Sequence, residues 1–283
     1  MIRFGRITTV LASIAVAGAM MTTSAHATAS HAKFRGYNVG LELYTVRDEC
    51  AKDFPGVLKK VAEMGYKGVE FAGYWGKSAE DIKKMLDEDH LQCYGSHTPW
   101  NDLQPENIAK TIAFNHTIGN KLIVVPWIPT EKRNSKAAIL ATCKEFNAIA
   151  KTLEKEGIML GYHNHMDEFK PVDGEMPWDT FFANTDSRVK IQFDTGNAMD
   201  AGQQAAPFLV KYPGRIISIH FKDHSTTNPN ALLGEGDEHW NEVVPILKKI
   251  TKPKYYIIEQ EVYPFGSLEC ARRCLRTFEK MMN

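Results

Sequence analysis

Four side chains in the 283-residue sequence could meet on one ion: His163, Asp194, His220 and Glu259. Each ends a short apolar run and is separated from the next by a helical stretch. Two imidazoles and two carboxylates form a mixed nitrogen and oxygen donor set. Such a set suits Mn²⁺, Zn²⁺, Co²⁺ or Fe²⁺, with Mg²⁺ a weaker fit. Taken singly, each residue has a plainer role. A histidine at a strand end is commonly a hydrogen-bonded structural group. Asp194 precedes Thr195-Gly196-Asn197 and could cap a helix. Glu259 could pair with a nearby cation. Their joint placement on consecutive strand ends favours one divalent metal ion.

Other polar residues fall at matching places. Glu42, Glu70, His97, Asn164, His165, Asn197, Lys222, Asp223 and Glu261 all lie at or just beyond the ends of apolar runs. Glu259 is the first choice as general base. His165 and His97 are candidates to move a proton or bind hydroxyls, because imidazole titrates near neutral pH. Lys222 could neutralise a developing oxyanion. Glu70 and Asn197 are candidates to orient substrate. Trp127, with Trp75, Trp100 and Phe169, could stack on a sugar ring, although lone aromatics in loops are more often anchors.

The elements that must position these residues alternate eight times. Strands are expected at Asn38–Leu43, Gly68–Phe71, Gln92–Ser96, Lys121–Val125, Ile158–His163, Lys190–Asp194, Ile216–His220 and Tyr255–Glu259. Their continuous apolar character fits strands buried on both faces. The first helix is expected to be capped by Asp53, to carry Pro55 in its first turn and to end at Gly65. Ser78 and Asp81 resemble a capping box. Pro105 is expected to open a third helix with Ile108, Ile112 and Ala113 facing inward. Further helices are expected at Lys136–Glu156 and Ser267–Met281, while the helix after the sixth strand has no clear pattern. Eight strand–helix units predict a (β/α)₈ TIM barrel, whose active site lies at the C-terminal strand ends. A doubly wound open sheet is the alternative, but neither GxGxxG nor GxxxxGK[ST] occurs. Gly234-Glu235-Gly236 does not lead into a helix as a phosphate loop would, and reads as a turn in a long loop, a candidate lid edge.

Composition narrows the function classes. Arg3 and Arg6, an uncharged apolar stretch and Ala25-His26-Ala27 predict a signal peptide over residues 1–27 and a barrel domain over 28–283. Export to the periplasm or medium follows from that expectation, without a stable membrane anchor. Lysine plus arginine equals aspartate plus glutamate at 34 each, so no basic excess supports nucleic-acid binding. The five cysteines include no CxxC motif and read mostly as small buried hydrophobes. Cys270 and Cys274 share a helix face, a poor geometry for a disulfide.

Several blocks carry a family resemblance. Gly40-Leu41-Glu42-Leu43-Tyr44-Thr45-Val46-Arg47-Asp48, Gly68-Val69-Glu70-Phe71, Gly95-Ser96-His97-Thr98-Pro99, Gly161-Tyr162-His163-Asn164-His165, Asp194-Thr195-Gly196-Asn197, His220-Phe221-Lys222-Asp223 and Gly234-Glu235-Gly236-Asp237 resemble the sugar phosphate isomerase/epimerase family. That family belongs to the xylose isomerase-like TIM barrels, with relatives among endonuclease IV-type barrels. The resemblance implies one divalent ion held from strands five to eight, at Asp194, His220 and Glu259, with His163 where many relatives carry glutamate. Epimerases of the family use two metal-bound glutamates as opposed acid–base groups, and only Glu259 stands at such a position here. The Tyr-His-Asn-His form is closer to dehydratase- and isomerase-like members. The implied function is isomerisation or epimerisation of a sugar or keto-sugar through proton abstraction beside a carbonyl and a metal-stabilised enediolate. The alternatives are a metal-dependent lyase or dehydratase on keto-sugars, keto-glycosides or keto-cyclitols, and a non-catalytic sugar-binding barrel.

Overall fold

The computed structural model describes Met1 and residues 36–283 apart from Pro213. The expected signal segment therefore lies outside the described residues. Eight parallel strands close into a barrel in chain order. They are β1 Val39–Glu42, β2 Gly68–Phe71, β3 Gln92–His97, β4 Leu122–Val125, β5 Met159–His163, β6 Val189–Asp194, β7 Ile216–Phe221 and β8 Tyr255–Ile258. The ladder from β1 to β8 closes it, with Leu41 opposite Ile258. All eight expected strands form, with ends displaced by a residue or two. Among the described residues, no helix is long and apolar enough to cross a membrane.

Side chains alternate between the barrel interior and the helix layer. Val39, Leu41, Val69, Ile123 and Ile191 pack outward into the large core beneath the helices. Tyr94, Leu122, Val124, Tyr255 and Ile257 form a separate apolar plug. The Tyr94 and Tyr255 rings stack 4.9 Å apart. Gly68 makes room for the plug, since a Cβ there would lie 2.7 Å from the Tyr94 ring. Two residues on from Gly68, the same parity brings Glu70 to the barrel interior. Gln192 and Asp194 share one face of β6, and Ser218 and His220 share one face of β7.

The helices are α1 Arg47–Met64, α2 Ala79–Glu88, α3 Ile108–Thr117, α4 Lys136–Lys155, α5 Pro177–Asn184, α6 Thr195–Asp200, α7 Ala206–Lys211, α8 Trp240–Ile246 and α9 Ser267–Met282. The chain turns helical before Asp53, which breaks α1 with non-helical backbone angles (φ −151°, ψ 78°). Asp53 Oδ1 then accepts the Gly56 amide at 3.0 Å, so the expected cap restarts the helix after the break. Ser78 caps α2 by accepting the Asp81 amide at 3.1 Å. The unclear region after β6 is two short helices, α6 and α7, with Gly202 between them at φ +74°. The third helix starts later than Pro105 suggests, and Ala113 is exposed rather than inward. Asn115 is the residue that α3 buries fully, within a polar network of Ser96 and Asn120. Ile108 and Ile112 pack partly buried against the core as expected, beside this polar network. All five cysteines are free and buried.

The connection from β7 to α8 folds back onto Asp223. Its carboxylate accepts the Gly234 amide and the Trp240 indole N–H, both at 2.8 Å. Trp240 in turn stacks on Phe221 at 4.9 Å. A Cβ at Gly236 would lie 2.2 Å from Asp223 Oδ1 and 2.3 Å from the His224 carbonyl oxygen. Gly236→Ala is therefore expected to destabilise the protein by about 1–3 kcal/mol, the usual cost of overpacking. Urea unfolding of the two proteins checks this, and unchanged stability would show that the loop yields freely.

Candidate functional site

Polar residues collect at the C-terminal ends of the strands. His163, Asp194, His220 and Glu259 are all buried, and a ligand atom from each lies within 4.8 Å of the others. His220 Nδ1 lies 2.7 Å from Glu259 Oε2 and 3.5 Å from Asp194 Oδ2. His163 Nε2 is 3.9 Å from the same aspartate oxygen. Asp194 also caps α6, accepting the Asn197 amide through Oδ1 at 2.6 Å. The capping role and the cluster role use different oxygens. Oδ2 is buried and has no hydrogen-bond partner among the described residues. A buried carboxylate oxygen without a donor is costly unless a cation answers it.

A second layer beneath holds the imidazoles in place. Glu70 is fully buried. Its Oε1 accepts from His220 Nε2 at 2.8 Å, and His97 Nε2 lies 2.9 Å from the same oxygen. Gln192 joins the two halves of the site. Its Oε1 accepts from His97 Nε2 at 2.8 Å and from His163 Nδ1 at 3.0 Å. Its Nε2 donates to Glu70 Oε2 at 2.7 Å. With Nδ1 of His163 spent on Gln192, Nε2 carries the lone pair and faces the cluster, where Asn197 Nδ2 lies at 3.2 Å. This tautomer is the one a nitrogen ligand needs.

Charge follows the same arrangement. The surrounding carboxylates of Glu70, Asp194 and Glu259 raise the His220 pKa against the opposing effect of burial. His220 and His97 hold the Glu70 carboxyl well below the usual range despite burial. Lys222 and His220 do the same for Glu259. Burial pushes the Glu42 carboxyl well above the usual range, helped by the neighbouring Glu70 charge. Burial and the neighbouring histidines hold His163 down, and burial holds His165 down. Lys222 is raised by Asp194, Glu259 and Glu261 against the opposing effect of burial, and stays cationic.

A cavity of about 590 Å³ opens above the cluster and is lined by Tyr44, His97, Trp127, His163, His165, Asn197 and Glu259, among others. His97, Asn197 and Trp127 thus reach the cavity as expected for substrate contacts. Trp127 is 48% exposed. Glu70 does not reach it. Its carboxylate is committed below, so the expectation that it orients substrate gives way to a support role for His220. Lys222 also sits behind the cavity wall, bonded to Asn197 Oδ1 at 3.0 Å and to Glu261. Trp75 stacks on Phe54, Trp100 packs on Phe146 and Phe169 packs on Trp178, so these three are core anchors. Sequence reading missed Gln192. Its position two residues before Asp194 on a buried strand was the available signal, because that spacing shares a face.

Among the described residues, Glu42, Glu70, His97 and His220 form another close group of potential ligands. Glu70 there is already met by Gln192, His97 and His220, so the set around Asp194 Oδ2, which no hydrogen-bond donor reaches, is the better seat for a cation.

Residues 58–278 match the profile of the xylose isomerase-like TIM barrel family. The chain belongs to that family. It is 28% identical over 191 residues to an inosose dehydratase of Clostridium beijerinckii, covering 60% of this chain and 63% of that protein. It is 32% identical over 187 residues to an inosose dehydratase of Halalkalibacterium halodurans, covering 59% and 60%. The chain thus spans somewhat less than two thirds of the length of these relatives. Its fold is similar to that of a sugar phosphate isomerase/epimerase from Parabacteroides distasonis, with a TM-score of 0.77, 24% identity, and 88% of this chain and 100% of that chain covered.

The buried network yields a stability prediction. Gln192→Leu leaves the ring N–H groups of His97 and His163 without their shared acceptor. An unfolding free energy lower by about 1–3 kcal/mol is expected, the usual cost of stranded buried donors. Denaturant titration measures it, and a neutral or stabilising result would show that the network relaxes around an apolar side chain.

Proposed function

We propose that this protein is a metal-dependent enzyme that removes a proton beside the carbonyl of a keto-sugar or keto-cyclitol. The observation that carries the reading is the buried set of His163, Asp194, His220 and Glu259, with an unanswered aspartate oxygen, at the floor of a cavity of about 590 Å³. The donor set fits one divalent ion of the Mn²⁺, Zn²⁺, Co²⁺ or Fe²⁺ kind, with Mg²⁺ a weaker fit. When bound, such an ion supplies Lewis acidity to substrate oxygens.

The chain's own residues supply the proton traffic. Glu259 is ionised and lines the cavity, and His165 lines it in neutral form. Either can accept a proton from the carbon beside the carbonyl. Asn197 and His97 offer hydrogen bonds to substrate hydroxyls, and Trp127 offers an apolar face. Lys222 stays cationic behind Asn197 and keeps positive charge near the reacting oxygens.

Two fates follow proton removal. Return of the proton to the same carbon from the opposite face is epimerisation, and its return to the neighbouring carbon is isomerisation. Departure of hydroxide from the adjacent carbon, taken off as water after protonation, is dehydration. We favour dehydration. The relatives named inosose dehydratases support it, as does His163 at the strand-five position, where the resemblance leads to expect a second, opposed glutamate in epimerases. We further propose that the chain is exported. Recovery of native protein with an N-terminus near Thr28 would agree, and an intact Met1 in a soluble cytoplasmic pool would not.

Two measurements test the enzyme reading. Elemental analysis is expected to find about one divalent ion per wild-type chain and strong loss in Asp194→Ala, and equal metal in both sinks the assignment. In deuterated water a ketose or ketocyclitol is expected to gain deuterium beside its carbonyl, and accompanying loss of water selects the dehydratase. Glu259→Gln keeps shape and one oxygen donor, and turnover is expected to fall about 10²-fold or more. Full activity in that variant moves the base to His165. Neither exchange nor product in the wild type would leave a sugar-binding barrel.

A further inference from the structure

A second cavity, of about 270 Å³, adjoins the candidate site and shares Tyr74, His97, Pro99 and Asp102 with it. It lies between the loop after β2, the loop after β3 and α3. The helix is unusual in this barrel. Whereas α4 buries six residues along its inner face, α3 buries only Asn115. Its Ile108, Ile112 and Phe114 pack only partly buried against the core, and the space beside them is walled by mixed groups.

The character of the walls defines what fits. Tyr74 and Phe114 make a tilted ring pair with centroids 4.3 Å apart, an apolar surface at one side. Asp102, Lys110 and Thr111 stand on the polar side. Among the described residues neither the Asp102 carboxylate nor the Lys110 ammonium has a hydrogen-bond or ion-pair partner, although many other surface charges are paired. The two charges are opposite, so no net field selects an ion. Aromatic faces beside separated donors and acceptors match a neutral sugar ring, whose C–H faces are apolar and whose edge carries hydroxyls.

We propose that this pocket is a subsite for the second ring of a two-ring substrate, a keto-glycoside or keto-disaccharide, whose first ring sits over the His163, Asp194, His220 and Glu259 cluster. The inference rests on the proposed sugar chemistry of that cluster and narrows its substrate class. His97 stands at the junction, lining both cavities, and contacts the linkage between the rings. Asp102 and Lys110 accept from and donate to hydroxyls of the outer ring, and the Tyr74–Phe114 pair underlies it.

The test uses unreactive probes, so binding is read independently of turnover. Full-length protein in Mn²⁺-containing buffer is titrated calorimetrically with cellobiose and with methyl β-glucoside. The disaccharide is expected to bind on the order of tenfold more tightly, the scale of one or two added hydrogen bonds. In Lys110→Ala and Asp102→Asn the ratio is expected to fall toward one. Both positions are exposed, so the fold is expected to survive, and circular dichroism checks it. Equal affinities in the wild type, no binding of cellobiose, or a ratio unchanged in both variants would each overturn the subsite. Deuterium exchange into a keto-monosaccharide reports on the catalytic reading separately. Its absence alongside an intact ratio would sink the chemistry and leave the subsite standing.

Discussion

Sealing carboxylates and imidazoles inside a parallel barrel sets the terms for everything above them. Glu42, Glu70, Asp194 and Glu259 share the strand-end interior with His163 and His220, all almost entirely out of water. An ionised carboxylate there is tolerable only with donors or a cation around it. Glu70 meets that demand through Gln192, His97 and His220. Glu259 meets it through His220 and Lys222, and burial pushes the Glu42 carboxyl toward its neutral form. Asp194 meets it on one oxygen only. The whole network directs its residual negative charge to the centre of the barrel mouth.

The same constraint divides labour between layers. Residues below the mouth fix tautomers and ring directions, and residues at the mouth are left free to meet ligand. Gln192 belongs to the first group because it spends both ends of its amide on neighbours. His165 and Trp127 belong to the second, since both line the cavity, although the His165 ring also accepts the Glu168 amide and Trp127 lies under the Arg133 guanidinium. Lys222 was expected among the reacting groups, yet its ammonium is shared between Asn197 and Glu261. Its contribution is a fixed charge and a fixed Asn197. Positioning of this kind commonly governs how well the inner ligands and bases perform.

The helix layer shows where the barrel departs from uniform packing. Most helices cover the sheet with apolar stripes, and α3 combines partly buried Ile108, Ile112 and Phe114 with a polar network in which Asn115 meets Ser96 and Asn120. The Asp223-centred loop closes another side of the mouth through backbone and indole donors. One side of the mouth is therefore packed and the other is open, an asymmetry that gives the cavity a direction.

Much of this protein was legible in the sequence. Eight apolar runs separated by capped helices leave few architectures, because strands buried on both faces and spaced by helices pair in parallel. The cluster His163, Asp194, His220 and Glu259 was legible for the same reason, since consecutive strand ends of a closed barrel must approach one another. Ser78 and Gly65 mark a cap and a helix end where they were expected, whereas Asp53 restarts a helix that already runs from Arg47. Tertiary structure alone decided what each polar side chain touches. The face on which Glu70 lies follows from strand parity, but its commitment to His220 across the barrel depends on register between strands distant in sequence. The separate fates of Trp127 and Trp100, one at the cavity and one in the core, depend on loop paths that no periodicity encodes. The outward turn of Ala113 and the pocket beside it come from how α3 docks, and docking is settled by the summed packing of the barrel.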